Sequence, residues 1–384
     1  MTKIFIIAAE ASGDNLGSKI IKQLKEQNPK AQIKIIGGVN MQKQGLKSLF
    51  NIQILSVMGF FEVLPKLFKI IKLINLATRE VIKFAPDILL TIDSPDFNFR
   101  VAKKVKKADL VGKIKKIHLI APSVWAYREK RAEKIAKIYD QLLCILPFEP
   151  PYFTKYGLKS DFIGHPILEN YLNLPKKTEN FQVIHQIKSN QKIILITPGS
   201  RIGEIGRILP IFTEAFNIAQ TKHKNLIPVI LTTNNTEKLI KDQIENFAIK
   251  PILVNGNNEQ EKVQIMQAAN FAIAKSGTNA VELSFFDIPL VTAYKVNPLS
   301  AFIFRAMSNL KYVNLINILA NKEIIPELIQ EKCQPNQIAK QLNCLITDPK
   351  KSKLQTNLSQ QMLKTMLPGN QEAPSLVAAN LIQR

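Results

Sequence analysis

Short apolar runs recur along this chain, each closed by a small or polar turn and followed by a stretch of helical period, and few folds accept that alternation. Ile4-Phe5-Ile6-Ile7 opens a strand over 4–9 that exits through Glu10-Ala11-Ser12-Gly13-Asp14 into a helix with Leu16, Ile20, Ile21 and Leu24 on one face. Strands at 33–36, 88–92 and 117–120 follow. After the polar stretch 173–180, which reads as a linker, the pattern restarts: strands at 193–196, 227–232, 251–254 and 271–274 are separated by helices at 208–221, 236–247 and 260–268. Strands alternating with helices imply parallel sheets covered on both faces, with ligands bound beyond the carboxyl ends of the strands. The fold class expected is therefore α/β. At 384 residues the chain exceeds what one hydrophobic core sustains, so two similar halves are expected.

Two turns in the second half have the form of anion sites. Pro198-Gly199-Ser200-Arg201 and Lys275-Ser276-Gly277-Thr278 each follow a strand and open a helix. Unpaired N–H groups and the positive end of a helix dipole point into such turns, Gly199 and Gly277 admit a phosphate close to the backbone, and Arg201 offers a forked contact. Together the turns suit a diphosphate held from two sides. Glu282, one turn inside the second helix, is placed to accept from ribose hydroxyls; a solvated helix residue fits the same position. A plain βα turn that binds nothing also fits the first stretch. There is no G-x-x-x-x-G-K-[ST] loop, and no G-x-G-x-x-G follows the first strand, which argues against an ATPase loop and a dinucleotide dehydrogenase.

In the first half, Asp93-Ser94-Pro95-Asp96-Phe97-Asn98 sets two carboxylates three apart at a strand end, where an Asp could serve as general base on a hydroxyl. An ordinary turn fits too. Glu10 and Asp14 form a further pair in the first βα loop. Cys144, Cys333 and Cys344 have no CxxC spacing and the four histidines are scattered, so neither a disulfide framework nor a metal site is expected.

The charge is strongly positive, +22 overall, and uneven: residues 1–190 carry 31 Lys and Arg against 16 Asp and Glu, the remainder 21 against 14. The first half is the one that would face an anionic surface; the excess suits nucleic acid, anionic lipid or a phosphorylated substrate, and a Lys-rich and Ile-rich genomic bias accounts for it equally simply. Within the first half, residues 58–76 are apolar with Lys66, Lys69 and Lys72 at every third position, and they include Phe60, Phe61 and Phe68. The pattern fits a helix lying on an anionic membrane, and equally a sheet-covering helix with a basic outer face. No apolar run reaches the length of a spanning helix and no signal peptide is seen, so a cytoplasmic location is expected.

These stretches, together with Met58-Gly59, Pro122-Ser123-Val124-Trp125-Ala126, Leu146-Pro147-Phe148-Glu149, Phe162-Ile163-Gly164-His165-Pro166 and 314–319, occur in an order and spacing that resembles the lipid-A-disaccharide synthase family. The resemblance runs nearly end to end. It implies a GT-B glycosyltransferase: two Rossmann-like domains facing a central cleft, the first over 1–172 binding the acceptor, the second over 187–345 binding the UDP-sugar, and a helical segment over 346–384 packing back on the first. The implied reaction moves 2,3-diacylglucosamine from its UDP derivative to 2,3-diacylglucosamine 1-phosphate, with inversion, forming a β-1,6 disaccharide and UDP without a metal or other cofactor. Asp93 is the implied base, with Glu10 and Asp96 as alternatives. Gly199, Ser200, Arg201, Ser276, Gly277, Thr278, Glu282 and Asn317 are implied to hold UDP. Peripheral association with the inner membrane follows from the acylated substrates; no nucleic-acid partner is expected, and a homodimer is left open. The sequence departs from the family at Ala9, where Gly is usual, and at Ile316, where Pro is frequent, which loosens the assignment of Asn317. A UDP-sugar 2-epimerase of the same fold is the alternative.

Overall fold

The computed structural model describes residues 2–55, 67–109, 112–172, 174, 181–297, 301, 308 and 310–384. The Met58-Gly59 stretch, Lys66 and most of the polar linker lie outside them. The chain divides into two compact units, Met1–Glu169 with Met366–Arg384, and Asn170–Thr365.

The first unit is built on six parallel strands: β1 (Lys3–Ala8), β2 (Gln32–Ile36), β3 (Ile88–Ile92), β4 (Lys115–Leu119), β5 (Gln141–Cys144) and β6 (Lys159–Phe162), in the order β2-β1-β3-β4-β5-β6. β1 and β3 are apolar on both faces and almost wholly buried, as expected of central strands with helices on each side. The expected first helix is present over Ala11–Gln27, burying Leu16, Ile20, Ile21 and Leu24. It lies tight against β3 because Gly13 and Gly17 carry no Cβ: one at Gly13 would sit 3.3 Å from the Ile92 carbonyl oxygen, and one at Gly17 3.2 Å from Ile92 Cδ1.

The second unit carries β7 (Lys192–Thr197), β8 (Leu226–Thr232), β9 (Ile252–Asn255), β10 (Phe271–Lys275), β11 (Leu290–Tyr294) and β12 (Glu327–Ile329), again all parallel, in the order β12-β11-β10-β7-β8-β9. This is the strand order of a dinucleotide-binding Rossmann sheet. The helix after β7 spans Ile202–Lys222, beginning six residues before the expected 208, because Ile205 and Ile208 continue the buried stripe of Leu209, Phe212 and Phe216 back to the turn.

The last helices differ from the sequence expectation. The helix Pro349–Thr365 buries Ser352, Gln355, Ser359 and Leu363, while Leu354 is 58% exposed. It docks by hydrogen bonds: the Gln355 amide donates to the Leu290 carbonyl at 3.1 Å and accepts from the Leu290 N–H at 2.7 Å. This helix belongs to the second unit, and the segment grouped with the first unit begins at Met366 rather than at 346.

Topology alone marks where each unit binds. In an open parallel sheet a crevice forms where the strand order reverses, outside the carboxyl ends of the two central strands. In the first sheet that point lies between β1 and β3, and in the second between β7 and β10. The loops leaving these four strands are Glu10–Asp14, Asp93–Asn98, Pro198–Arg201 and Ser276–Thr278, the stretches the sequence singled out.

Candidate active site

In the second unit, both switch-point turns use glycine where no other residue is at ease. Gly199 has φ +107° and Gly277 φ +153°. The helices that follow, Ile202–Lys222 and Thr278–Phe285, start without any side-chain cap at Arg201 or Gly277, so their first N–H groups are left for another acceptor. Gly199, Ser200, Gly277, Thr278 and Asn279 line one recess of about 170 Å³, together with Thr197, Leu231, Thr232, Thr233, Gly256, Lys262 and Lys275. Thr197 is 1% exposed and its Oγ1 has no hydrogen-bond partner, a buried donor in the wall that a bound acceptor oxygen would satisfy. Two uncapped helix starts, an orphaned hydroxyl and two ammonium groups around one small space describe an anion pocket.

Charge at this pocket is organised by a carboxylate. Glu204 is 8% exposed, and Glu204 Oε2 lies 3.2 Å from Lys275 Nζ while its Oε1 accepts from Arg201 Nη1 at 3.1 Å and from the Tyr294 hydroxyl at 3.3 Å. Burial, with Glu204 close by, raises the Tyr294 pKa. Lys275 also sits over the Tyr294 ring, 4.8 Å from its centroid. Arg201 itself is not in the lining; in this arrangement it is folded onto Glu204.

Ser276, Glu282 and Asn317 are not among the residues that line the recess. Glu282, 5% exposed, pairs with Lys262 at 2.5 Å and accepts from the Tyr171 hydroxyl, whose pKa is raised by burial and by that carboxylate. Asn317 is fully buried: its Oδ1 accepts from the N–H groups of Ile324 and Ile325 at 2.8 and 3.0 Å, and its Nδ2 donates to the Ile325 carbonyl at 2.8 Å and to Glu327 at 3.4 Å. Glu327 accepts from the Val313 and Asn314 N–H groups and, at 3.5 Å, from Ser276 Oγ. Burial raises the Glu327 pKa against the pull of these donors. Through Glu327, Asn317 and the 313–314 backbone are tied to the β10 turn.

Lys262, Lys275, Glu204 and Glu327 escaped the sequence reading as site residues. Lys275 and Glu204 stand inside or beside the quoted motifs, and a cation on the last residue of a strand before an anion turn was a usable signal. Lys262 and Glu327 come from distant elements and are found only through tertiary contacts.

In the first unit, the end of the sheet between β1 and β3 is bent out of ordinary backbone geometry. Asp93 and Ser94 have φ of 53° and 45°, and the β-branched Ile120 at the exit of β4 has φ 74°. Strain of this kind costs on the order of 1–3 kcal/mol per residue and concentrates at functional sites. Asp93 is held from both sides: Oδ1 accepts from the Ser94 N–H at 2.8 Å, and Oδ2 from Ser12 Oγ at 3.1 Å, joining the two switch-point loops. Asn98, fully buried, donates to the carbonyls of Ile92 and Asp93 at 3.0 and 2.7 Å and locks the turn beneath. Glu10, partly buried, occupies the N-cap position of the helix Ala11–Gln27: its carbonyl accepts from the Asp14 N–H at 2.9 Å, and its side chain makes no capping bond. Asp96 points away: its side chain is 95% exposed, 3.6 Å from Arg131. Asp14, the other half of the expected pair with Glu10, is consumed by structure, accepting from the N–H groups of Gly38, Asn40 and Met41.

No group of three or more His, Cys, Asp or Glu side chains suited to a metal ion occurs among the described residues. Comparison with known proteins places the chain. A family model described as lipid-A-disaccharide synthetase matches residues 4–381. The lipid-A-disaccharide synthase of Rickettsia bellii is 42% identical over 389 residues, covering 100% of this chain and 99% of that protein. That of Rickettsia prowazekii is 41% identical over 386 residues, with the same coverage. Among solved structures, the UDP-GlcNAc 2-epimerase from Neisseria meningitidis bound to UDP-GlcNAc superposes with a TM-score of 0.63 over 100% of both chains at 14% identity, a likeness of fold. With its two Rossmann-like sheets and this end-to-end match, the chain belongs to the lipid-A-disaccharide synthase family of glycosyltransferases.

Proposed function

We propose that this enzyme transfers 2,3-diacylglucosamine from UDP-2,3-diacylglucosamine to the 6-hydroxyl of 2,3-diacylglucosamine 1-phosphate, with inversion at the anomeric carbon. The observation that carries the donor half is the recess between two uncapped helix starts. There the N–H groups after Gly199 and Gly277, with Ser200, Thr278 and Lys275, take the diphosphate, and Arg201 turns from Glu204 to meet it. As the sugar–phosphate bond breaks, negative charge grows on the departing UDP, and fixed dipoles and ammonium groups stabilise it without a divalent ion. Glu282 and Asn317 act indirectly, through Lys262 and through the Ser276–Glu327 link.

Asp93 is the base. Its strained turn, its two donors and its place at the switch point hold one carboxylate in a fixed orientation. Asp96 is the weaker candidate, exposed and paired with Arg131, and Glu10 stands at the same sheet end. The acylated substrates place the enzyme at the cytoplasmic face of the inner membrane as a peripheral protein.

Asp93→Asn should bind UDP as wild type does and lose roughly a hundredfold or more in turnover. Turnover near the wild-type rate would remove Asp93 from this role. An epimerase would convert the UDP-sugar alone; this enzyme is expected to leave it unchanged and to release UDP only when the acyl sugar phosphate is added.

A further inference from the structure

Among the cavities of the first unit, one has no part in the chemistry described so far. Arg128, Lys130, Arg131 and Lys134, with Glu129 and Tyr156, line a recess of about 790 Å³. Glu129 is the one acidic residue in the lining and is already taken, since it pairs with Lys155; Glu133, next to Lys130 and Lys134, pairs with Lys137. Arg128, Lys130 and Lys134 have no salt-bridge partner among the described residues. Arg128 holds φ +57°, a conformation disfavoured for a side chain of its kind. Arg131 is the ordered member: its guanidinium stacks over Phe99, 5.5 Å from the ring centroid, and reaches Asp96 at 3.6 Å. Concentrated positive charge in a concave site is how proteins draw in an anion, and two arginines supply the fork geometry that matches phosphate oxygens.

We infer that this recess binds the phosphomonoester of the acceptor sugar. The inference rests on the proposed reaction for the identity of the ligand and on the recess for its location. Arg131 connects the two: it lines the recess and pairs with the exposed carboxylate of Asp96, in the first turn of the helix that follows Asp93. A phosphate at one end of a single sugar is thereby anchored beside the loop whose carboxylate addresses the hydroxyl at the other end.

The test is the double variant Arg128→Ala with Lys134→Ala. Its kcat/KM for the phosphorylated acceptor should fall at least tenfold, and its kcat/KM for an acceptor lacking the phosphate, already poor, should change less than twofold. Vesicles of phosphatidylglycerol without acceptor should co-sediment with it as with wild type, and UDP should bind both proteins equally, which reports an intact second unit. Equal losses with both acceptors, or vesicle binding lost in parallel, would overturn the inference and assign these cations to membrane headgroups. Binding of glucosamine 1-phosphate, followed by phosphorus NMR, needs no turnover. If wild type transferred nothing yet bound this sugar phosphate at least tenfold more tightly than the double variant, the proposed reaction would fall and the phosphate site would stand.

Discussion

Glu149, like Glu327, is a buried carboxylate held by two backbone N–H groups and one side-chain N–H. It is 2% exposed, accepts from the N–H groups of Ile145 and Leu146 at 3.1 and 3.0 Å, and receives the indole N–H of Trp125 at 3.2 Å. Burial pushes its pKa from the ordinary 4.5 up to about 7, against the pull of those donors. The folded protein therefore binds more protons at this site than the unfolded chain between about pH 4.5 and 7, and stability from it falls as pH rises through that window, by on the order of 3 kcal/mol. Trp125 is the only tryptophan in the chain, so its emission reports the carboxylate directly. Wild-type fluorescence should show a transition near pH 7 that is missing in Glu149→Gln, and the stability of wild type relative to Glu149→Gln should fall from pH 5 to pH 8. His118 and His165, buried and pushed down to about 3 and about 4, titrate alike in both proteins and cancel in the comparison. Flat Trp125 emission, or parallel stability curves, would contradict the assignment. At this scale the sequence was an uneven guide. Gly199 and Gly277 were legible because a small residue after a buried strand has few other uses, whereas Glu149 stood in a quoted motif with no sign of its burial, which depends on Trp125 arriving from another loop.

Among the elements, those most legible were strands with long apolar runs. β3 was placed at its observed limits, and β1, β2 and β7 within a residue or so at either end. β5, β6, β11 and β12 were missed: β6, Lys-Ser-Asp-Phe, forms the polar edge of its sheet, β12 has three residues, and β5 and β11 are short runs without a glycine-rich exit turn. The helix Leu67–Phe84 shows where periodicity leaves a choice open. It buries Ile74, Ala77 and Val81, so part of it does cover the sheet. Its opposite face joins Lys69 and Lys72 to Phe68 at 79% and Ile71 at 39% exposure, the mixture that lies on anionic lipid. Each lysine near such a surface contributes about 1 kcal/mol, so losing both amounts to about 2 kcal/mol, or roughly thirtyfold in affinity. Reversing Lys69 and Lys72 to Glu should weaken co-sedimentation with phosphatidylglycerol vesicles by at least that factor and leave the weak binding to neutral vesicles unchanged. Undiminished co-sedimentation with the anionic vesicles would show that this face does not meet the membrane.

For the molecule as a whole, the informative feature is that chain order and unit membership disagree. Met366–Arg384 is grouped with the first unit although the entire second unit intervenes. The helix Pro374–Gln383 contributes Ala378, Ala379 and Ile382 to the apolar cluster that holds Ile20, Ile21 and Leu24 of the first helix. The Met366 carbonyl accepts from the His165 N–H at 2.8 Å, and Glu169 accepts from the N–H and hydroxyl of Ser375 at 2.9 and 2.7 Å. Gly164, at φ +92°, leaves room for Pro368, which a Cβ there would approach to 2.7 Å. These contacts make the last nineteen residues part of the first unit's core, while the recess proposed to hold UDP draws on none of them. A chain ended after Thr365 should therefore lose the cooperative unfolding transition of the first unit and keep a second transition that UDP still shifts upward, with UDP affinity within about twofold. Ile382→Ala makes the same point gently, removing about 2–5 kcal/mol from the first unit alone. If UDP binding disappeared with the truncation, or if the shortened chain unfolded like the full one, the two cores would not be energetically separate, and the division of donor binding and proton removal between two independently stable units would be wrong.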